Sequence, residues 1–241
     1  PDDEIDLARV ALLVATIEYP RLDIERELAV LDSLAAAASR RMSDGTDPLY
    51  RVNTLSEYLF EEAGFRGSED DYYDPCNSFL NDVLTRRTGI PISLSLVYIE
   101  VGKRLGIPLV GVGMPGHFLV RHRDVGDLYI DPFYGGILLS EEECAERLRQ
   151  VTGAQHPWDP RYLDPVDNRE LIARMLRNLK AIYLRRNDHS HALSIIGWLL
   201  VLSPGAVQEL RDRGLVHYGL GDYDRALNDL RGYLGRIAPD A

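Results

Sequence analysis

His117 and Asp131 stand 14 residues apart in the stretch GMPGHFLVRHRDVGDLYIDPFYGG, where strand-like runs alternate with turns. Imidazole is the side chain whose ordinary pKa lies nearest neutrality. A carboxylate beside it fixes the tautomer and stabilises the imidazolium. On neighbouring antiparallel strands the two side chains meet, and such a pair can serve acid–base or nucleophilic chemistry. The plainer alternative, which spacing alone favours, is a structural His–Asp hydrogen bond without catalysis. Nucleophilic chemistry needs a third group. Ser93 is the candidate at the start of a buried helix, where the helix dipole favours an anion. The thiols of Cys76 and Cys144 are expected to lie away from the pair.

The elements that must position these groups follow from the local pattern. Leu109–Val112, His117–Arg121 and Leu128–Asp131 read as short strands joined by tight turns at 113–116 and 123–127, which means an antiparallel sheet. Ile137–Leu139 follows the Gly135-Gly136 turn. The central helix begins at Pro91. From Ile92 to Val101 nearly every residue is apolar or a small Ser, so it is expected to be buried all round, with Gly106 as its C-cap. Ser93 and Ser95 are then buried hydroxyls, expected to bond to a carbonyl one turn earlier.

Three helices precede this core, over about 4–17, 23–41 and 52–64, with a turn at 43–47. The run GSEDDYYD, from Gly67 to Asp74, is a solvated loop or one wall of a cleft that prefers cationic groups. Tyr73 is its candidate contact. Asp74-Pro75 predicts an N-cap and a helix through Leu84, with Asn77 and Asn81 one turn apart on one face. Asn77, in the first turn, is a candidate binding residue, as are Pro91 and Met114, the latter in the turn leading to His117. Ser140 and Glu143 form a capping box that opens a helix to about Val151. The Pro-rich segment 153–162 is the expected domain boundary, giving domains 1–163 and 164–241.

From Asp164 onward the chain reads as all helix and contains a repeat. Ala192 and Ala226 are 34 residues apart in similar settings, and GLVHYGLGDYDRALNDL carries the second copy. That period, with Gly, Tyr and Ala at these offsets, resembles the tetratricopeptide repeat. Stacked helix pairs can offer a peptide groove or simply brace a domain.

Composition narrows the partners. The 241 residues are 45% apolar and carry a formal charge of −11. Such a balance argues against nucleic acid and anionic membranes, which need a basic footprint. Two cysteines in a chain this long imply reduced thiols and a cytoplasmic setting rather than a disulfide framework. No apolar run approaches the roughly 20 residues of a membrane span. The first residues, PDDEID, carry no signal-peptide pattern and no initiator Met, so a preceding segment could be missing. His122, His156, His189, His191 and His217 form no ligand motif, so neither a metal nor a cofactor is expected.

The strings NSFLNDVLTRRTGIPISLSLVYIEVGKRLG, GVGMPGHFLVR and IDPFYGG, with EYPRLDIERELAVLD upstream, resemble the SirB-type branch of the transglutaminase-like superfamily. The resemblance covers nearly the whole chain, including the pairing with C-terminal tetratricopeptide-like repeats. It implies an α+β, papain-like core: a central buried helix against a small antiparallel sheet. A similar domain occurs in a eukaryotic F-box protein. His117 and Asp131 match the family's His and Asp. The family's active enzymes carry Arg-x-Gly-x-Cys before the helix, whereas this chain reads Arg87-Thr88-Gly89-Ile90-Pro91, which sets Pro91 on the Cys position. The expected function is therefore a non-catalytic module that binds a protein or peptide. The alternative is an amide-bond hydrolase or acyltransferase using His117 and Asp131 with Ser93 or a water.

Overall fold

The computed structural model describes residues 5–42, 47–69, 71–126, 128–153 and 156–237. Most of the expected turn at 43–47, Asp70, Asp127 and part of the 153–162 segment lie outside them. The chain divides into two compact units, Pro1–Ile172 and Ala173–Ala241.

The first unit is built around helix α5 (Pro91–Arg104), in which every residue from Pro91 to Gly102 is buried. Helices α1 (Leu7–Ala15), α2 (Ile24–Ser39) and α4 (Leu80–Arg86) pack on it. Asp6 and Asp23 cap the first two, their carboxylates accepting from Arg9 N and Arg26 N. Helix α3 (Pro48–Ser56) runs into a π-type turn over Glu57–Glu62, where Ala63 N donates to Tyr58 O at 2.8 Å.

Strands β1 (Arg66–Gly67) and β2 (Thr88–Gly89) form a short parallel pair. The main sheet contains β3 (Leu109–Val112), β4 (Leu119–His122), β5 (Tyr129–Asp131), β6 (Ile137–Leu139) and β7 (Pro165–Val166), in the order β6-β5-β4-β3-β7. All its pairings are antiparallel. Alternation along the strands divides its faces. Leu109 lies against Gly102 of α5, while Val112, Leu119, Tyr129 and Leu139 share a cluster with Met114, Cys144 and Leu163. Helix α6 (Glu141–Thr152) supplies Cys144 to that second face. Its capping box is present: Glu143 N donates to Ser140 Oγ, and Ser140 N to the Glu143 carboxylate.

Three sequence expectations need correction. The helix expected from Pro75 is broken. Pro75–Asn77 is a single 3₁₀ turn, Phe79 is extended, and α4 starts only at Leu80. Asn77 and Asn81 therefore sit on different elements rather than on one helix face. The segment after Asp164 is not all helix, because Pro165–Val166 pairs at the edge of the sheet, where a proline's missing N–H does least harm. The strand expected from His117 starts at Leu119.

The second unit stacks α8 (His189–Leu202), α9 (Val207–Gly219) and α10 (Tyr223–Leu234) after α7 (Asn168–Arg185), which begins before the division. Its repeat is visible atom by atom. Asp188 N donates to Tyr183 O, and 34 residues later Asp222 N donates to His217 O, both at 2.9 Å. Asp188 and Asp222 each cap the following helix through their carboxylates. Asn187 and Gly221 precede them with φ of 55° and 77°, left-handed positions that asparagine and glycine adopt most readily. Ala192 and Ala226 are both buried.

Candidate functional site

The β4–β5 register pairs Val120 with Ile130 and Arg121 with Tyr129. Continued by one residue, it sets Leu119 opposite Asp131, with His117 on the same face two residues earlier. The 14-residue spacing thus makes the two side chains diagonal neighbours. The His117 Nε2 atom lies 3.0 and 2.9 Å from the two carboxylate oxygens of Asp131. His117 is 3% exposed and Asp131 is fully buried.

The carboxylate has other partners. Phe133 N donates to its Oδ1 at 3.2 Å. Arg147, from α6, brings Nε to 3.3 Å of Oδ2, an ion pair without hydrogen-bond alignment. The same guanidinium lies over the Tyr134 ring, 3.9 Å from its centre. Arg147 supplies a counter-charge for Asp131 and a cation–π contact for Tyr134. With Nε2 directed at Asp131, any proton exchange with a third group runs through Nδ1.

A cavity of about 580 Å³ adjoins His117 and is lined partly by Pro91, Gly116, Tyr73 and Tyr134. The β1–β2 pair accounts for its shape. Arg66 N donates to Arg87 O and Ser68 N to Gly89 O, both at 2.9 Å, so Ser68 and the start of α5 are held side by side. Gly67 lets Phe133 approach, since a Cβ there would sit 2.7 Å from the ring and from the Phe133 carbonyl. Gly116, with φ of +71°, turns the chain into His117.

The residues singled out in the sequence occupy different places. Pro91 and Tyr73 line the cavity. Asn77 is fully buried behind its wall, where its Nδ2 donates to Ser68 Oγ at 3.0 Å and to Asp71 O at 2.6 Å. Met114 is buried in the cluster beneath the sheet and does not line the cavity. The Ser93 hydroxyl donates to Asn77 O at 2.6 Å and Ile90 O at 3.1 Å, and accepts from Ile90 N at 3.0 Å. It caps α5 and is not on the cavity lining. Ser95 Oγ reaches across to Phe118 O at 3.5 Å instead of back along its helix.

Neither thiol is part of the lining. The broken helix brings the backbone around Cys76 back to α5, since Ile90 N donates to Asn77 O; a straight helix would have kept them apart. The sulfur of Cys76, however, faces the Tyr19 hydroxyl at 3.9 Å. Burial and the nearby Asp82 and Asp74 carboxylates push its pKa up. Burial, followed by Asp131, pushes the Cys144 thiol up to about 12. Arg147, Phe133 and Tyr134 carried no expected role in the sequence, whereas Glu69 lies in the acidic run expected as a solvated loop or a cleft wall. An arginine on a helix face and aromatics after a strand carry no local signal of convergence. Among the described residues no three His, Cys, Asp or Glu side chains converge as a metal site, and no helix is long and apolar enough to cross a membrane.

A buried helix against an antiparallel sheet that presents a paired imidazole and carboxylate is the frame of transglutaminase-like proteins. Comparison with known proteins agrees. The transglutaminase-like superfamily model matches residues 25–177, and a tetratricopeptide-repeat model matches 179–241. A UPF0162 protein of Xylella fastidiosa is 41% identical over 237 residues, spanning 97% of this chain and 84% of the relative. A UPF0162 protein of Vibrio cholerae is 30% identical over 240 residues, spanning 99% and 88%. F-box only protein 21 of Mus musculus is 34% identical over 183 residues, 70% of this chain but 28% of that protein. No solved structure matches the chain. The chain belongs to the transglutaminase-like superfamily, in its SirB-type UPF0162 branch, and carries tetratricopeptide repeats.

Proposed function

We propose that this protein binds a protein or peptide segment at the cavity beside His117 and does not turn it over. The observation that carries this reading is Pro91. It borders the cavity at the start of α5, where enzymes of the family are expected to carry their thiol, and a proline offers no nucleophile. The cysteine thiols are off the lining, and the hydroxyl proton of Ser93 is committed to backbone carbonyls. Tetratricopeptide repeats, which typically bind other proteins, support the same reading.

The His117–Asp131 pair favours a second reading, an amide-bond hydrolase or acyltransferase in which the imidazole activates a water. Purified protein incubated with an activated p-nitrophenyl ester and with a blocked peptide amide separates the two. The binding module gives background rates for both, equal to those of His117→Ala. Turnover that disappears in His117→Ala would overturn it.

A further inference from the structure

We infer that the cavity beside His117 receives an arginine side chain of a bound peptide. This rests on the binding reading above and names the group recognised. Four of the ten lining residues are Tyr72, Tyr73, Phe133 and Tyr134, so aromatic rings dominate the wall. Among the described residues Glu69 is the only acid on the lining, and no lysine or arginine is present there. Its side chain is exposed and has no ion-pair partner among the described residues. Asp71, equally exposed, lies beside this wall, whereas the Asp74 carboxylate is already bound by Arg86 at 2.8 Å. Arg66 is the one cation in the 66–74 segment, against four acids.

An aromatic wall with an unneutralised carboxylate suits an organic cation. Guanidinium fits better than ammonium. It is flat, stacks on aromatic faces, gives up its water more readily and bonds a carboxylate through two N–H groups at once. The molecule already uses this contact, with Arg147 stacked 3.9 Å from the centre of Tyr134. The volume of about 580 Å³ falls within the roughly 300–1,000 Å³ of typical ligand sites. The wall is also held in place before anything binds. Asn77 ties Ser68 and the Asp71 carbonyl together from behind, so less freedom is lost on binding. A net charge of −11 draws cationic segments toward the protein.

The test uses the full chain, labelled with ¹⁵N, and the peptides acetyl-Gly-Gly-Xaa-Gly-Gly-amide with Xaa arginine, lysine or citrulline. Citrulline keeps the shape of arginine without its charge. The arginine peptide is expected to saturate shifts at Glu69, Tyr73 and Tyr134, and the citrulline peptide to bind about tenfold more weakly. Glu69→Gln, on an exposed side chain, is expected to weaken the arginine peptide about three- to tenfold and leave the citrulline peptide unchanged. If citrulline or lysine binds as tightly as arginine, or Glu69→Gln has no effect, the arginine assignment falls while the peptide-binding reading stands. If no peptide shifts the cavity residues, both fall.

Discussion

Asp131 and Asp229 are buried carboxylates with cationic partners, one in each unit of the molecule. Asp229 receives two bonds from Arg213, both 2.7 Å, between adjacent helices of the repeat. The Arg213 side chain is 32% exposed, so water reaches its far side. Asp131 is held by His117, Arg147 and Phe133 N, and His117 and Arg147 are 3% and 14% exposed. Its partners come from the approach to β4, the end of β5 and helix α6. The Arg213–Asp229 pair thus stays near water and within neighbouring helices. The core assembles one from distant segments and seals it, an arrangement whose removal leaves charge with no solvent to replace the partner.

Removing each carboxylate sharpens that comparison. Asp131→Ala is expected to destabilise the first unit by about 3–5 kcal/mol, while Asp229→Ala takes about 1–2 kcal/mol from the second. Chemical denaturation followed by hydrogen exchange in each unit measures both. Equal losses would mean that sealing matters less than the pairing itself.

Two left-handed glycines give a smaller contrast. Gly221→Ala adds a Cβ that meets nothing within 4 Å, so only the backbone is strained, by about 1 kcal/mol. Gly116→Ala bears the same backbone strain, and its Cβ would also lie 2.8 Å from Val151; a total of about 2 kcal/mol is expected. Thermal melts of the two variants check the order.

A further effect, of similar size to the glycine contrast, appears in alkali. The folded state holds the Cys144 thiol at about 12, against 9.0 for an unperturbed thiol. The unfolded chain therefore releases this proton first, and the stabilisation, complete below pH 9, is lost as the pH rises toward 12. At pH 10 the loss is about 1.4 kcal/mol. Stability measured from pH 8 to 10.5 is expected to fall less steeply in Cys144→Ala. The decline attributable to the thiol belongs to the first unit, since residues 173–241 contain no cysteine. Parallel curves for the two proteins would contradict it.

Much of the frame was readable in the sequence because its signals are local. The apolar run after Pro91 predicts a helix buried all round, and Ser140 with Glu143 predicts a cap; both are present. The 34-residue period in Ala192 and Ala226 reappears in their matching burial and in the caps at Asp188 and Asp222. The break at Phe79 was hidden because Asp74-Pro75 caps a 3₁₀ turn as well as an α-helix. Edge strand β7 was hidden because two residues carry no periodicity.

By itself, the sequence determined most of the longer helices and the strands β3 to β6, because those patterns depend on neighbours a few residues away. It also set His117 and Asp131 as diagonal neighbours once β4 and β5 pair. Only the tertiary structure decided that Arg147 arrives from α6 to share the carboxylate, that Ser93 turns its hydroxyl into the cap of α5, and that Asn77 fastens the aromatic wall from behind. Those contacts join residues separated by many positions. Their formation depends on where whole elements pack, which no local spacing records.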